Sequence, residues 1–308
     1  MQKTRQITRR RFLTIAAASC LGATGGLSMS TAHAAHWRGV ALGADAQIIL
    51  DHPEATRLIE MARAEIRRLE AVFSLYDRGS ELSRLNQEGH LQAPAFELLE
   101  CLALCRQVQR VTEGRFDPTI QPLWQVFAEA AAQGHEPAQD RIERARAVIG
   151  FHRVSFDVGA VRLGPGQRLT LNGIAQGYVA DRVAALLSRE GIEDVLIDTG
   201  EIVALGSAPQ SDGWPVTIAG EHEQQHLRNR ALATSAWQGT EIRDGEGHIL
   251  DPRHGGLRQG GLMQVSVSAT SAAMADGLST GLILTKSHAE AEQLLRNVKE
   301  ARLESVMI

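Results

Sequence analysis

Aromatic side chains are scarce: seven Phe, four Trp and only two Tyr in 308 residues. The core must therefore be built from Ala, Val, Leu and Ile, with 29 glycines available where backbones approach closely. Cysteine is equally sparse. Of the three, Cys20 lies in the N-terminal segment, and Cys101 and Cys105 stand four apart in a helical pattern. On one helix their Cβ vectors run nearly parallel, which suits a disulfide poorly, so both read as small core hydrophobes. No zinc-type Cys/His cluster is present in the sequence. No low-complexity linker or short-period repeat interrupts the chain. The longest uncharged apolar stretch, from Thr14 to about Met29, is too short and too weakly hydrophobic for a stable membrane span.

The first 34 residues lack any negative charge, whereas Lys3, Arg5, Arg9, Arg10 and Arg11 make a basic cluster. Removing those five charges from the net −4 of the whole chain leaves the remainder near −9. That balance argues against a nucleic-acid or anionic-membrane partner. Residues 1–34 read as a targeting segment. Thr8-Arg9-Arg10-Arg11-Phe12-Leu13 matches the twin-arginine signal, and Ala32-His33-Ala34 fits a small-x-small cleavage site. The competing readings are a basic disordered terminus and a lipoprotein signal at Cys20, with Ala17 where a lipobox prefers Leu. The expectation is a signal peptide at 1–34 and one functional domain at 35–308. The mature protein is then periplasmic, with no stable membrane span after processing. Twin-arginine export carries folded proteins, which points to a cofactor bound before export.

Residues 38–50 alternate around Gly43 and predict a strand or hairpin. Leu58, Ile59, Ala62, Ile66, Leu69 and Val72 recur at helical spacing from Pro53 to about Phe73. A loop is expected through Ser74–Asn86, then helices over 94–112 and 137–150, with Glu113-Gly114 as a stop signal. Short strands are expected within 153–171. A turn at Asn172-Gly173-Ile174-Ala175-Gln176-Gly177 leads into a helix over about 178–190. Strands follow at 195–198, 214–220, 231–237, 241–251 and 263–269, with helices over 271–284 and 287–299. The elements do not alternate regularly as βαβ units, so the class is α+β, one functional unit of two packed subdomains.

Four short constellations carry candidate chemistry. In Ala275-Asp276-Gly277-Leu278-Ser279-Thr280, Asp276 and Thr280 share one helix face. A carboxylate among Ala, Gly, Met and Leu is costly unless paired, and carboxylate plus hydroxyl is the oxygen set that hard cations prefer. The bland alternative pairs Asp276 with a buried Arg. Asn172–Tyr178 brackets Ile-Ala-Gln between glycines before a helix, where backbone groups can meet a phosphate, although most such turns are structural. His248-Ile249-Leu250-Asp251-Pro252-Arg253 places a His on a short apolar strand. A lone His is more often a satisfied group than a catalyst. Gly114-Arg115-Phe116-Asp117-Pro118-Thr119 reads as a turn.

Their order and spacing say more than each alone. Ser74-x-Tyr76 with Ser80-Glu81-Leu82-Ser83-x-Leu85-Asn86, Gly114-x-Phe116-Asp117-Pro118-Thr119-x-x-Pro122-Leu123, residues 171–181, Leu232-Ala233-Thr234-Ser235, His248-x-x-Asp251-Pro252-Arg253 and Ala275–Thr280 follow one another along residues 40–300. Together these blocks resemble the FAD:protein FMN transferases, with a possible affinity to exported relatives that include accessory proteins of nitrous-oxide respiration. The resemblance implies a fold of two packed subdomains with mixed sheets, with FAD and Mg²⁺ between them. It implies cleavage of the FAD pyrophosphate, transfer of FMN to a Thr of a periplasmic or membrane-anchored flavoprotein, and release of AMP. It further implies Asp276, Ser279, Thr280 and the Ala175 carbonyl at the metal. Flavin contacts fall at Leu42, Tyr76, Arg115, Phe116, Asp117, Asn172, Tyr178 and the backbone near Leu250, and His248 matches a position discussed as catalytic. His248 and a nearby carboxylate both remain candidates for the general base. Two positions depart from the pattern: Gln176 stands where the family carries Lys, and Asn172 where it carries Gly. The lost charge keeps two alternatives open, a non-catalytic FAD carrier or assembly factor, and an FAD pyrophosphatase that uses water.

Overall fold

The computed structural model describes residues 13–15, 34–221, 223–237, 239, 241–243, 246–258 and 260–308. The basic cluster and almost all of the expected leader lie outside these residues. Seven strands form the main sheet: β1 (Ala34–Ala41), β2 (Ala44–Asp51), β3 (Val195–Asp198), β4 (Ile202–Leu205), β5 (Arg230–Ala236), β6 (Gln264–Ala269) and β7 (Arg302–Met307). They lie side by side in chain order, and each neighbouring pair is antiparallel. The expected α+β class is present. The β1–β2 hairpin turns at Leu42 and Gly43, both in the left-handed region (φ 48° and 78°). Two consecutive positive φ values make the tight turn whose twist matches the flanking strands.

The period-two pattern assigns the two sheet faces. Val195, Ile197, Val203, Ala231, Ala233, Val265 and Val267 face a large core shared with the helices. Leu196, Ile202, Ala204 and Leu232 face the other way, onto Trp214, Val216, Ile218 and Leu227 of a small sheet. That small sheet pairs Trp214–Ile218 with Gln225–Leu227 and with Leu13–Ile15.

The helices are α1 (Ala55–Phe73), α2 (Glu81–Glu88), α3 (Phe96–Val111), α4 (Gln121–Ala132), α5 (Gln139–Ala147), α6 (Ala175–Arg189), α7 (Ala272–Leu282) and α8 (His288–Leu295). In α1 the apolar residues expected at helical spacing are all buried. Cys101 and Cys105 are free and buried on α3, and burial, then the Cys101 thiol, pushes the Cys105 thiol well up. A third cluster joins Leu123, Val126 and Phe127 of α4 to Ala145 of α5 and to Leu250.

Four expectations need correction. The segment at 80–88 is a helix, not a loop. Ser80 accepts the Ser83 N–H as N-cap, and Gly89 (φ 74°) closes the other end. Helix α4 was not anticipated, because Pro118 and Pro122 read as breakers. Pro122 in fact sits in the first turn, where its missing N–H costs nothing. Helix α6 begins at Ala175 rather than 178, so Gly177 lies inside it. The glycine serves a close approach there: a Cβ at Gly177 would lie 2.2 Å from the Ala272 carbonyl oxygen of α7. The strand expected at 241–251 is broken into short pairs, Glu241–Arg243 with Glu246–Gly247 and Leu250–Asp251 with Gly256–Leu257.

The contact between α6 and α7 yields a prediction. Gly177→Ala must push two backbones apart, which costs about 2 kcal/mol or more. Gly43→Ala meets no neighbouring atom and suffers only left-handed strain, about 1 kcal/mol. Denaturant titration of both variants should rank Gly177→Ala as the less stable. Equal stability would mean that α6 and α7 do not touch at this point.

Candidate metal and phosphate site

Two carboxylates organise the helix pair. Asp181, on α6, accepts the Ala272 N–H (2.7 Å) and Ala273 N–H (3.0 Å) at the start of α7, and the Ser271 hydroxyl (2.8 Å). Burial outweighs these hydrogen bonds and lifts the Asp181 carboxyl above its ordinary value. In return Asp276, on α7 and only 4% exposed, accepts the Gly177 N–H (3.3 Å) in the first turn of α6. Each helix therefore supplies an anion to the positive end of the other, where backbone N–H groups have no intrahelical partner.

One turn beyond Asp276, three hydroxyls converge. Ser235 of β5 lies 2.9 Å from Ser279 and 3.4 Å from Thr280, Oγ to Oγ1 in the second case. Ser279 donates to the Asp276 carbonyl (3.0 Å). Ser235 shares the helix-facing side of β5 with Ala231 and Ala233, as strand alternation requires. Gly173 presses against Thr280: a Cβ there would stand 2.8 Å from Oγ1. Ala175, buried, opens α6 two residues before Gly177. The donor set is oxygen only, with one carboxylate. Among the described residues no group of three or more His, Cys, Asp or Glu could hold a metal ion. This set fits a hard cation that completes its shell with phosphate and water, and does not fit a soft one.

The segment leading into α6 is braced by the other blocks. Asn86 of α2 clamps Leu169 through both amide atoms, accepting at 2.6 Å and donating at 2.8 Å. Thr170 N–H donates to the Pro118 carbonyl (2.8 Å). Asn172, exposed at the tip, donates its N–H to Thr170 Oγ1 (3.3 Å). On α3, Val108 and Thr112 fill the space left by Gly277 and Gly281 of α7.

The remaining predicted positions take varied surroundings. Tyr76 is 78% exposed, on a turn whose Ser74 hydroxyl accepts the Tyr76 and Asp77 N–H groups. The Leu42 N–H donates to Glu70 of α1 (2.9 Å). Tyr178 packs edge-on against Phe73 (5.3 Å between centroids), and its hydroxyl donates to Glu100. Burial, then that hydrogen bond, pushes the hydroxyl well up, so it stays protonated. Asp117 caps the turn at Pro118, accepting from Thr119 (N–H 2.8 Å, hydroxyl 2.5 Å) and from Phe151 N–H (3.1 Å). Phe116 is buried, and its N–H donates to Thr112 Oγ1 (3.1 Å). Arg115 is 7% exposed and reaches Glu113, Glu290 and the Thr112 carbonyl. The Leu250 side chain is committed to the α4 cluster, and its backbone lies in the short pairing with Leu257. His248 is half-buried just before that strand. Ala175, Asp276, Ser279 and Thr280 are thus gathered at the α6–α7 junction. Ser235 and Asp181 join them and had not been singled out, although the blocks at 232–235 and 171–181 contain them.

Known proteins share this fold and much of this sequence. A FAD:protein FMN transferase from Haemophilus influenzae is 27% identical over 248 residues, 73% of this chain and 71% of its own length. One from Vibrio cholerae is 30% identical over 230 residues, 68% of each chain. Among solved structures, the flavinyl transferase ApbE of Pseudomonas stutzeri in its apo form superposes with a TM-score of 0.78 at 25% identity, covering 88% of this chain and 90% of its own. The flavin transferase ApbE of Vibrio cholerae gives 0.76 at 23% identity, covering 88% and 93%. The family model described as the ApbE family matches residues 42–306, so the chain belongs to the ApbE family.

Proposed function

We propose that the protein transfers FMN from FAD to a threonine hydroxyl of another protein and releases AMP, with Mg²⁺ held at the α6–α7 junction. The carrying observation is the oxygen cluster of Asp276, Ser279, Thr280 and Ser235 beside the first turn of α6, in a chain of a family whose named relatives are FAD:protein FMN transferases. Asp276 and Thr280 hold the cation, with Ser279 and the Ala175 carbonyl beside them; when bound, it neutralises charge on the pyrophosphate. The threonine oxygen attacks the phosphorus on the FMN side, the bond to the AMP phosphate breaks in line, and the hydroxyl proton passes to a base. We assign that role to His248 or to a nearby carboxylate. Flavin contacts are assigned to Leu42, Tyr76, Arg115, Phe116, Asp117, Asn172, Tyr178 and the Leu250 backbone. The twin-arginine motif and the cleavage signal support processing after Ala34, export in the folded state and an acceptor flavoprotein in the periplasm or anchored facing it.

Protein folded with FAD present should retain it, seen as flavin absorbance and an FAD-dependent rise in Tm; absence of both contradicts this function. Supplied with FAD, Mg²⁺ and a Thr-containing acceptor, it should release AMP and leave FMN on the acceptor peptide. AMP without labelled peptide identifies a pyrophosphatase, and retained FAD without AMP identifies a carrier.

Asp276→Ala should lower transfer by about a hundredfold or more at limiting Mg²⁺. The fold should survive, at the cost of about 1 kcal/mol for the lost cap on α6. Undiminished transfer by a folded variant would remove Asp276 from the site.

Gln176 is buried, its carbonyl accepts from Thr199 (2.9 Å), and its amide lies against Gly200, in the turn that carries the buried carboxylates Asp198 and Glu201. A neutral amide is therefore accommodated where relatives of the family carry Lys. Gln176→Lys should change the transfer rate by less than about tenfold, the difference between a charge-assisted and a neutral hydrogen bond. A much larger gain at saturating FAD and Mg²⁺ would show that the missing charge limits the reaction.

A further inference from the structure

Glu290 stands in the first turn of α8, outside every block that carries the family resemblance, yet it touches one of them. Its carboxylate divides its work. One oxygen accepts the Lys286 N–H (2.7 Å) while Ser287 Oγ accepts the Glu290 N–H (3.2 Å), an arrangement close to a capping box but with the carboxylate on the N–H of the residue before the cap. The other oxygen accepts from Nη2 of Arg115. Arg115 is almost wholly buried; its Nη1 is shared between the Thr112 carbonyl (3.1 Å) and the exposed Glu113 (3.2 Å). The charge of Glu290 is also felt by Arg253, which forks onto Asp251 at the turn after Leu250 (2.7 and 3.0 Å). Burial opposes the Glu290 charge, but the Lys286 N–H and Arg115 outweigh it and hold the carboxyl below its ordinary value. One anion thus stands between the arginines of two loops, 113–117 and 250–254, that are otherwise tied to different clusters.

We propose that Glu290 is a positioning residue for FAD binding, fixing Arg115 and through it the 113–117 loop against the 250–254 turn. The inference rests on the flavin-transferase reading above. A capping box accepts Gln as well as Glu, whereas only the carboxylate supplies a full charge to a buried guanidinium. Helix capping and arginine positioning are therefore separable by one substitution.

The test measures the Kd of FAD by flavin fluorescence, kcat and KM for transfer, and Tm, for the wild type, Glu290→Gln, Glu290→Ala, Arg115→Lys and Arg115→Lys/Glu290→Gln. Glu290→Gln should keep Tm within about 2 °C and raise both Kd and KM for FAD about tenfold, with kcat within about twofold. Glu290→Ala should show the same loss of affinity together with a lower Tm. The double variant should lose less affinity than Glu290→Gln and Arg115→Lys, measured separately, lose together, because both changes remove the Arg115–Glu290 pair. A Glu290→Gln variant with wild-type Kd and KM overturns the positioning role and leaves the transferase reading intact. So does additive loss in the double variant. A wild type that binds no FAD overturns both.

Discussion

The exchange of carboxylates between α6 and α7 is the constraint on which the site depends. Asp181 caps α7 and Asp276 caps α6, so neither helix can rotate or slide without stranding N–H groups at both ends. The contact is possible only because Gly177 lets the α6 backbone reach the Ala272 carbonyl. Asp276 thereby acquires a fixed direction. The cost of burying it is met by a helix N-terminus, the place where phosphate is also favoured.

Around this pair the fold is arranged in layers of small residues. Gly277 and Gly281 let α3 sit against α7 through Val108 and Thr112, and Ser235 reaches across from β5. A chain so poor in aromatics packs by close approach rather than by large side chains. Its few rings stand where bulk is useful: Tyr178 and Phe73 wedge α6 against α1, and Tyr76 projects from a turn made rigid by Ser74, Ser80 and Ser83.

Much of this was legible in the sequence. The stripe of apolar residues in α1, the hairpin around Gly43 and the Asp276–Thr280 face of α7 follow from periodicity alone. Other features were not legible, for identifiable reasons. Pro118 and Pro122 suggested a break where they begin helices. Glycines at 173 and 177 suggested a turn, whereas both serve close approaches, to Thr280 and to Ala272. Strand β7 carries Glu and Arg among its apolar residues because it is an edge, half exposed. Strand β4, only four residues long and joined to β3 by a tight turn, falls outside the strand expected at 195–198. The roles of Asp181 and Glu290 depend on partners 90 and 175 positions away, which no local pattern reveals.

The strand order has a consequence for how the chain comes together. Although the seven strands neighbour one another in sequence order, β2 and β3 are separated by all six of the first helices, and Gln47 meets Asp198 across 151 positions. Entropy opposes closing so long a loop, and the contacts that reward it arrive last. The β2–β3 pairing therefore waits until α1 and α6 have docked to bring its strands together. Thr280 lies still further along, in a helix that packs on both α6 and β5. The α1 and α3 region can form early from local contacts, but the α6–α7 corner is assembled only after the long β2–β3 loop has closed and α7 has docked.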